Sequence, residues 1–192
     1  MARWDPTAHL LSQDNPDIRK QVNASRGPQK NLELLIPGLR NYRKLDDLRV
    51  ADDMLRNQVA DKLLAAKANL EGARKQMSAA GDYTNLTSIG SAIFQLQQVA
   101  GEVRHAEQGY SGWVAGITID QNRLNQLYDN DYDFVSSAFA IAVATSPPSF
   151  SYDPANPASI MVSLSLVNAA MADFKQKWSV RMEAVKGVLV KQ

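Results

Sequence analysis

The 192-residue chain has no cysteine and only two histidines. The first absence excludes disulfides, thiolate nucleophiles and cysteine-ligated zinc or iron–sulfur centres. The second leaves little material for a histidine proton relay or a multi-histidine metal site. Long hydrophobic runs are missing too: no stretch approaches the roughly 18 apolar residues of a membrane-spanning helix. The opening Met-Ala-Arg-Trp-Asp-Pro lacks the apolar run of a secretory signal. A cytoplasmic protein is expected, and leaderless export would leave no trace in the residues.

Charge of one sign is absent overall. With 21 basic against 20 acidic side chains the formal charge is +1, so no global field draws the chain toward nucleic acid or an acidic membrane. Phosphate-cradling glycine loops, dinucleotide turns and zinc-protease helices are missing, and nothing marks a serine, threonine or lysine as an activated nucleophile. No enzyme activity, catalytic residue, cofactor or bound metal is expected.

What is present is pattern. Hydrophobic residues make up 45% and charged residues 21% of the chain, the mixture of a folding globular protein rather than a disordered one. From Leu86 the apolar positions Ile89, Ile93, Leu96, Ala100 and Val103 recur at alternating steps of three and four, and the ladder resumes at Tyr110, Val114, Ile117, Leu124 and Tyr128. Such spacing keeps one narrow stripe turned to one partner, as in a coiled coil or long bundle helix. Glu107 and Gln121 interrupt it around Gly109, Gly112 and Gly116. Because each glycine costs about 1 kcal/mol inside a helix, two helices with a break over 109–120 are expected rather than one rod.

The other elements follow from their punctuation. Residues 1–41, broken by Pro6, Pro16, Gly27-Pro28 and Pro37-Gly38, read as an irregular arm with short helical pieces. Residues 42–192 read as the bundle. A long helix from about Tyr42 to Ala80 carries Leu45, Leu48, Met54 or Leu55, Val59, Leu63, Ala66, Leu70, Ala73 and Met77, with Arg56, Asp61, Lys62, Lys67 and Lys75 expected on its surface. Gly81-Asp82 stops it, glycine standing where a left-handed cap is usual. The next helix starts near Thr84 or Thr87, either able to cap it. A third carries Leu124, Leu127, Tyr128, Tyr132, Val135, Phe139 and Ala142, a stripe whose phase slips after Tyr128, and ends at Ser146-Pro147-Pro148. The last begins near Pro157 or Ala158 with the stripe Ile160, Leu164, Val167, Met171, Phe174, Trp178, Met182, Val185 and Val188. The fold expected is all-α: an elongated antiparallel four-helix bundle with coiled-coil-like packing and an irregular N-terminal arm.

Candidate chemistry is sparse. Glu102 and His105 match one Glu-x-x-His element of a ferritin-like metal site, but no second element exists. They are read as solvated. Asp129, Asp131 and Asp133 resemble the start of a calcium loop, yet its glycine and glutamate positions hold Phe134 and Ala140. These acids are expected to form an exposed face or a frayed turn. Charge is also distributed by region: the stretch 117–155 has five acids and only Arg123, while 156–192 has five bases and two acids, and the two are expected to pair across the bundle.

Three functional readings result. The leading one is a non-enzymatic protein-interaction or scaffold protein whose partner is another protein, itself included as a homo-oligomer. A membrane-active protein using the apolar hairpin 134–171 is the second reading, with Phe150 and Tyr152 at its apex. The third is a nucleic-acid-associated small subunit using Arg19, Lys20, Arg26, Lys30, Arg40, Arg43, Lys44 and Arg49, with Tyr42 to stack on bases. Phe150, Tyr152 and Trp4 are the candidate interaction residues.

Overall fold

The computed structural model describes residues 45–106 and 121–189, and within them four α-helices and no strand. These are α1 (Leu45–Ala79), α2 (Leu86–His105), α3 (Gln121–Ala144) and α4 (Ser159–Leu189). The expected stripe of α1 is in the core: Leu55, Val59, Leu63, Ala66, Leu70, Ala73 and Met77 are all buried. The helix is closed by Gly81, whose φ of 73° lies in the left-handed region. Gly81 N–H donates to Ser78 C=O at 3.2 Å and Asp82 N–H to Met77 C=O at 3.0 Å, the paired bonds of a Schellman cap. Asp82 then accepts Thr84 N–H at 3.1 Å, so the start of α2 is set by this turn. Asn85, not Thr84 or Thr87, holds the N-cap position, and it makes no side-chain capping bond.

Within the ladder, Ile89, Ile93, Leu96, Ala100 and Val103 face the core, and α2 ends at His105 because Ala106 leaves helical geometry with ψ of 136°. The ladder is therefore carried by two helices. Its residues Tyr110, Val114 and Ile117 and the three glycines, like the arm with Trp4, lie outside the described residues.

α1 packs on α2 and α3 on α4 as two antiparallel hairpins, which join with α1 against α3 and α2 against α4. The joining pairs run in the same direction. Lys62 Nζ sits 3.6 Å from the Phe139 ring centre and Asn69 Nδ2 donates to Ser146 Oγ at 3.2 Å, so contacts on α1 and α3 advance together. α1 and α4 thus occupy diagonal corners, with the core between them.

Two stripes differ from expectation. In α3 Leu127, Tyr128 and Val135 are buried as expected, but Tyr132 is exposed, and from Leu127 the buried positions Asp131, Phe134, Ala138 and Ile141 follow at steps of four and three without a slip. In α4 Arg181 occupies the buried position after Trp178 and Met182 is half-buried. Both times a charged residue stands on the seam, and an apolar neighbour in the sequence mimics its place. The stripe of α3 also contains hydroxyls that satisfy themselves: Ser137 donates to Phe134 C=O at 2.7 Å and Thr145 to Ile141 C=O at 2.9 Å.

The Gly81 cap yields a direct test. Nothing lies within 4 Å of a Cβ added there, so the cost of Gly81→Ala is that of the left-handed backbone alone. A loss of about 1–2 kcal/mol is expected, read as a lower urea midpoint with an unchanged slope.

Candidate interaction surface

Among the described residues, four charged side chains are buried at the end of the bundle where α1 and α3 begin and α2 and α4 finish: Asp52, Arg56, Asp131 and Arg181. Arg181 Nε donates to Asp131 at 2.7 Å and Arg181 Nη2 to Asp52 at 2.5 Å. The other oxygen of Asp52 accepts Arg56 Nε at 2.9 Å. Arg56 Nη2 reaches Asp53 at 2.5 Å, and Nη1 donates to the carbonyls of Arg104 in the last turn of α2 (3.3 Å) and of Ala106 just beyond it (2.9 Å). A helix C-terminus has unmatched carbonyls and a partial negative charge, so a guanidinium is well placed there. One hydrogen-bonded chain therefore joins all four helices.

Packing supports the same arginine. The Arg181 guanidinium lies 5.4 Å from the Phe134 ring centre and 5.8 Å from that of Trp178, and Phe134 packs on Phe174 at 5.2 Å. Each acid of this hydrogen-bonded chain is paired. Its role is structural: two arginines and two aspartates neutralise each other out of water.

These residues correct the sequence reading. Arg56 is buried, not part of the polar surface of α1, and Asp131 is a core ion-pair partner, not one of an exposed acidic face. Asp129 and Asp133 are exposed as expected, and Lys177 pairs with Asp133 at 3.7 Å. With Arg181–Asp131, that contact realises the expected pairing of the acidic middle with the basic end. Glu102 and His105 are both exposed, and Glu102 accepts a hydrogen bond from Gln98 at 2.8 Å.

The loop between α3 and α4 differs as well. Phe150 is only 3% exposed and belongs to the core, its N–H bonded to Ser146 C=O at 3.1 Å. It is no exposed apex. Tyr152 is half-buried against the same core, and burial, then the negative charge of Asp82, then that of Asp153, raise its hydroxyl pKa above the usual 10.0.

Exposed apolar side chains occur on each described helix, Val50 on α1, Phe94 on α2 and Val143 on α3 among them, and α4 carries the largest number. Val162 (67% exposed), Leu166 (56%) and Val180 (45%) lie on its outer side with Ala169. Between Phe134 and Ala172 the only charged residue is Asp153, so the first half of α4 and the last turns of α3 present an uncharged surface that includes exposed Ala140 and Val143. Around the side, where α2 meets α4, a groove of about 390 Å³ is lined by Ser88, Ser91, Gln95, Met161, Ser165 and Asn168. It offers hydroxyl and amide groups and no ionisable residue.

Among the described residues, no group of three or more His, Cys, Asp or Glu is arranged to hold a metal ion, and no helix is long and apolar enough to cross a membrane. The cationic residues Arg19 to Lys44 lie outside the described residues. On the helices several bases are matched by acids, as in Lys67–Glu71 and Arg104–Asp61. No protein-family model, curated protein or solved structure matches the chain.

Two measurements follow from these side chains. Arg181→Ala leaves two buried aspartates short of their counter-charge, and a loss of about 3–5 kcal/mol is expected. Arg181→Lys should recover only part of it, because an ammonium lacks the planar fork that reaches both acids. Urea unfolding of both variants checks this. For Tyr152, a folded-state pKa raised above 10.0 means that stability present below pH 10 is lost as the unfolded chain ionises first. Tyr152→Phe should make the fall in melting temperature above pH 10 shallower than in the parent protein.

Proposed function

We propose that this is a non-enzymatic helical protein that acts by presenting the outer face of α4 to other proteins, a copy of itself included. The observation that carries this reading is the exposure of Val162 and Leu166 on a helix half that has no charge at all before Asp173. A solvated helix normally devotes that side to charged residues, and exposed apolar residues grouped on one face mark contact sites. The other described helices supply the platform. Its core and buried ion pairs hold α4 in place without consuming its outer side.

The membrane reading draws on the same uncharged end of the α3–α4 hairpin, but it loses its apex now that Phe150 is part of the core. Sedimentation with neutral and anionic vesicles separates the readings. Pelleting that Leu166→Asp abolishes would move the face to a lipid surface.

The direct test of the protein-contact reading is site-specific photocrosslinking in cells. A photoreactive residue at Leu166 should give adducts of discrete mass, and the same residue at exposed Lys75 of α1 should not. Equal labelling at the two positions, or none at Leu166, would refute the reading.

A further inference from the structure

The buried residues of α2 and α3 stand on one seven-residue frame. Leu127, Tyr128 and Asp131 of α3 come 28 residues, four repeats of seven, after Val99, Ala100 and Val103 of α2, and all six are buried. The same frame takes in Ile89, Ala92, Ile93 and Leu96 on the first helix and Phe134, Val135, Ala138 and Ile141 on the second. Two helices joined by a turn have no need of such agreement. α3 and α4 lack it: Ile160 of α4 is buried, yet Tyr132, 28 residues before it, is exposed. Residues 107–120 lie outside the described residues, but their sequence keeps the frame. Tyr110, Trp113, Val114 and Ile117 fall on it with Glu107 and Asp120, whereas Gly109, Gly112, Gly116 and Ile119 fall off it. A frame kept this far is the pattern of one helix that faces one partner along its length.

The bundle also divides cleanly into two halves. α1 packs chiefly on α2 and α3 chiefly on α4. Each hairpin matches its own buried charges, Asp52 with Arg56 in the first and Asp131 with Arg181 in the second, and the bond from Arg181 to Asp52 crosses between them. Separating the hairpins therefore leaves none of the four without an opposite charge. The seam is polar in places as well: Asn69 meets Ser146, Lys175 Nζ donates to Gln95 Oε1 at 3.3 Å, and the groove between α2 and α4 is lined by hydroxyls and amides.

We propose that two copies of the chain exchange hairpins, with α2 running on into α3 as one helix and the α3–α4 hairpin of each copy packed on the α1–α2 hairpin of the other. The seam between the hairpins is the interaction surface, and a second copy is the partner. Every contact of that seam is remade by the same residues in the exchanged pair, which is why swapping is a low-cost route to a dimer. α2 and α3 occupy diagonal corners of the bundle, so in the pair two continuous helices, each about 88 Å long at roughly 1.5 Å per residue, run antiparallel across a common core. This is what a shared frame permits: one unbroken stripe faces inward in both bundles. The three glycines oppose the continuous helix, so the single-copy form prevails at low concentration. The outer face of α4 takes no part.

The chain's lack of cysteine makes the exchange testable. Asn69→Cys and Ser146→Cys are prepared as single variants of the full chain, unfolded together in urea, refolded at high concentration and treated with a short bifunctional thiol reagent. Exchange gives a 69–146 link between copies in the dimer fraction, because those side chains meet across the seam. A dimer without that link, or a protein that stays monomeric at every concentration, refutes the exchange. Replacing Gly109, Gly112 and Gly116 together by alanine gives the second measure. Each alanine favours helix over glycine about fivefold, so sedimentation equilibrium should show at least tenfold tighter association, and Gly112→Pro should remove it with the helical circular dichroism of the monomer kept. Unchanged association in both variants would overturn the continuous helix. None of these variants touches Leu166, so the reading of the α4 face stands or falls separately.

Discussion

Arg181 is shared between two aspartates on two other helices, and the rest of the bundle is arranged around that fact. Its Nε holds Asp131 of α3 and its Nη2 holds Asp52 of α1, while Asp52 holds Arg56, which closes the carbonyl end of α2. An apolar seam of repeating Leu, Val and Ala tolerates sliding by one repeat, since each apolar residue meets another. The ion chain does not. Sliding any helix by a turn separates a guanidinium from its carboxylate inside the core, and an unpaired buried charge costs several kcal/mol. The diagonal bond from α4 to α1 further fixes which corners the two hairpins occupy.

The two ends of the bundle consequently differ in character. One is ionic and closed by arginines. The other is apolar, closed by Phe150 folding back from the α3–α4 loop into the core, with Tyr152 half-buried next to Asp82. Charge also thins toward the second end: α3 loses it after Asp133 and α4 gains none until Asp173. The exposed apolar side of α4 begins in this uncharged region. The two sides of α4 thus differ, the inner bound by aromatic and ionic packing and the outer exposed.

Much of the fold was legible in the residues. The glycine cap at Gly81 and the stop before Pro147 are local effects of backbone chemistry, and each stands where the sequence indicates, whereas the second helix ends at His105, four residues before the glycine where its end was expected. The core of α1 and α2 was legible for the same reason, since an apolar stripe at three-four spacing has one way to be buried. The candidate site was much less so. Phe150 and Tyr152 look like an exposed tip in a proline-rich loop, but the loop turns Phe150 inward. Asp52, Arg56, Asp131 and Arg181 were assigned to the surface, passed over or replaced by an apolar neighbour. A signal for all four did exist: each stands at a seam position, three or four residues from buried members of its own stripe. Treating charge as a mark of solvent hid it.

By itself, the sequence determined that the chain is helical, where its helices stop and that no cysteine or multi-histidine chemistry is available, because these depend on residue type and on neighbours within one or two turns. Only the tertiary structure decided which charges are inside. A guanidinium is admitted to a core when carboxylates from other helices arrive at hydrogen-bond distance, and those carboxylates are 50 and 129 residues away along the chain. It also decided which side of α4 is exposed. The inner one is buried because α3 and α2 pack against it, and the outer one is exposed because no described helix does.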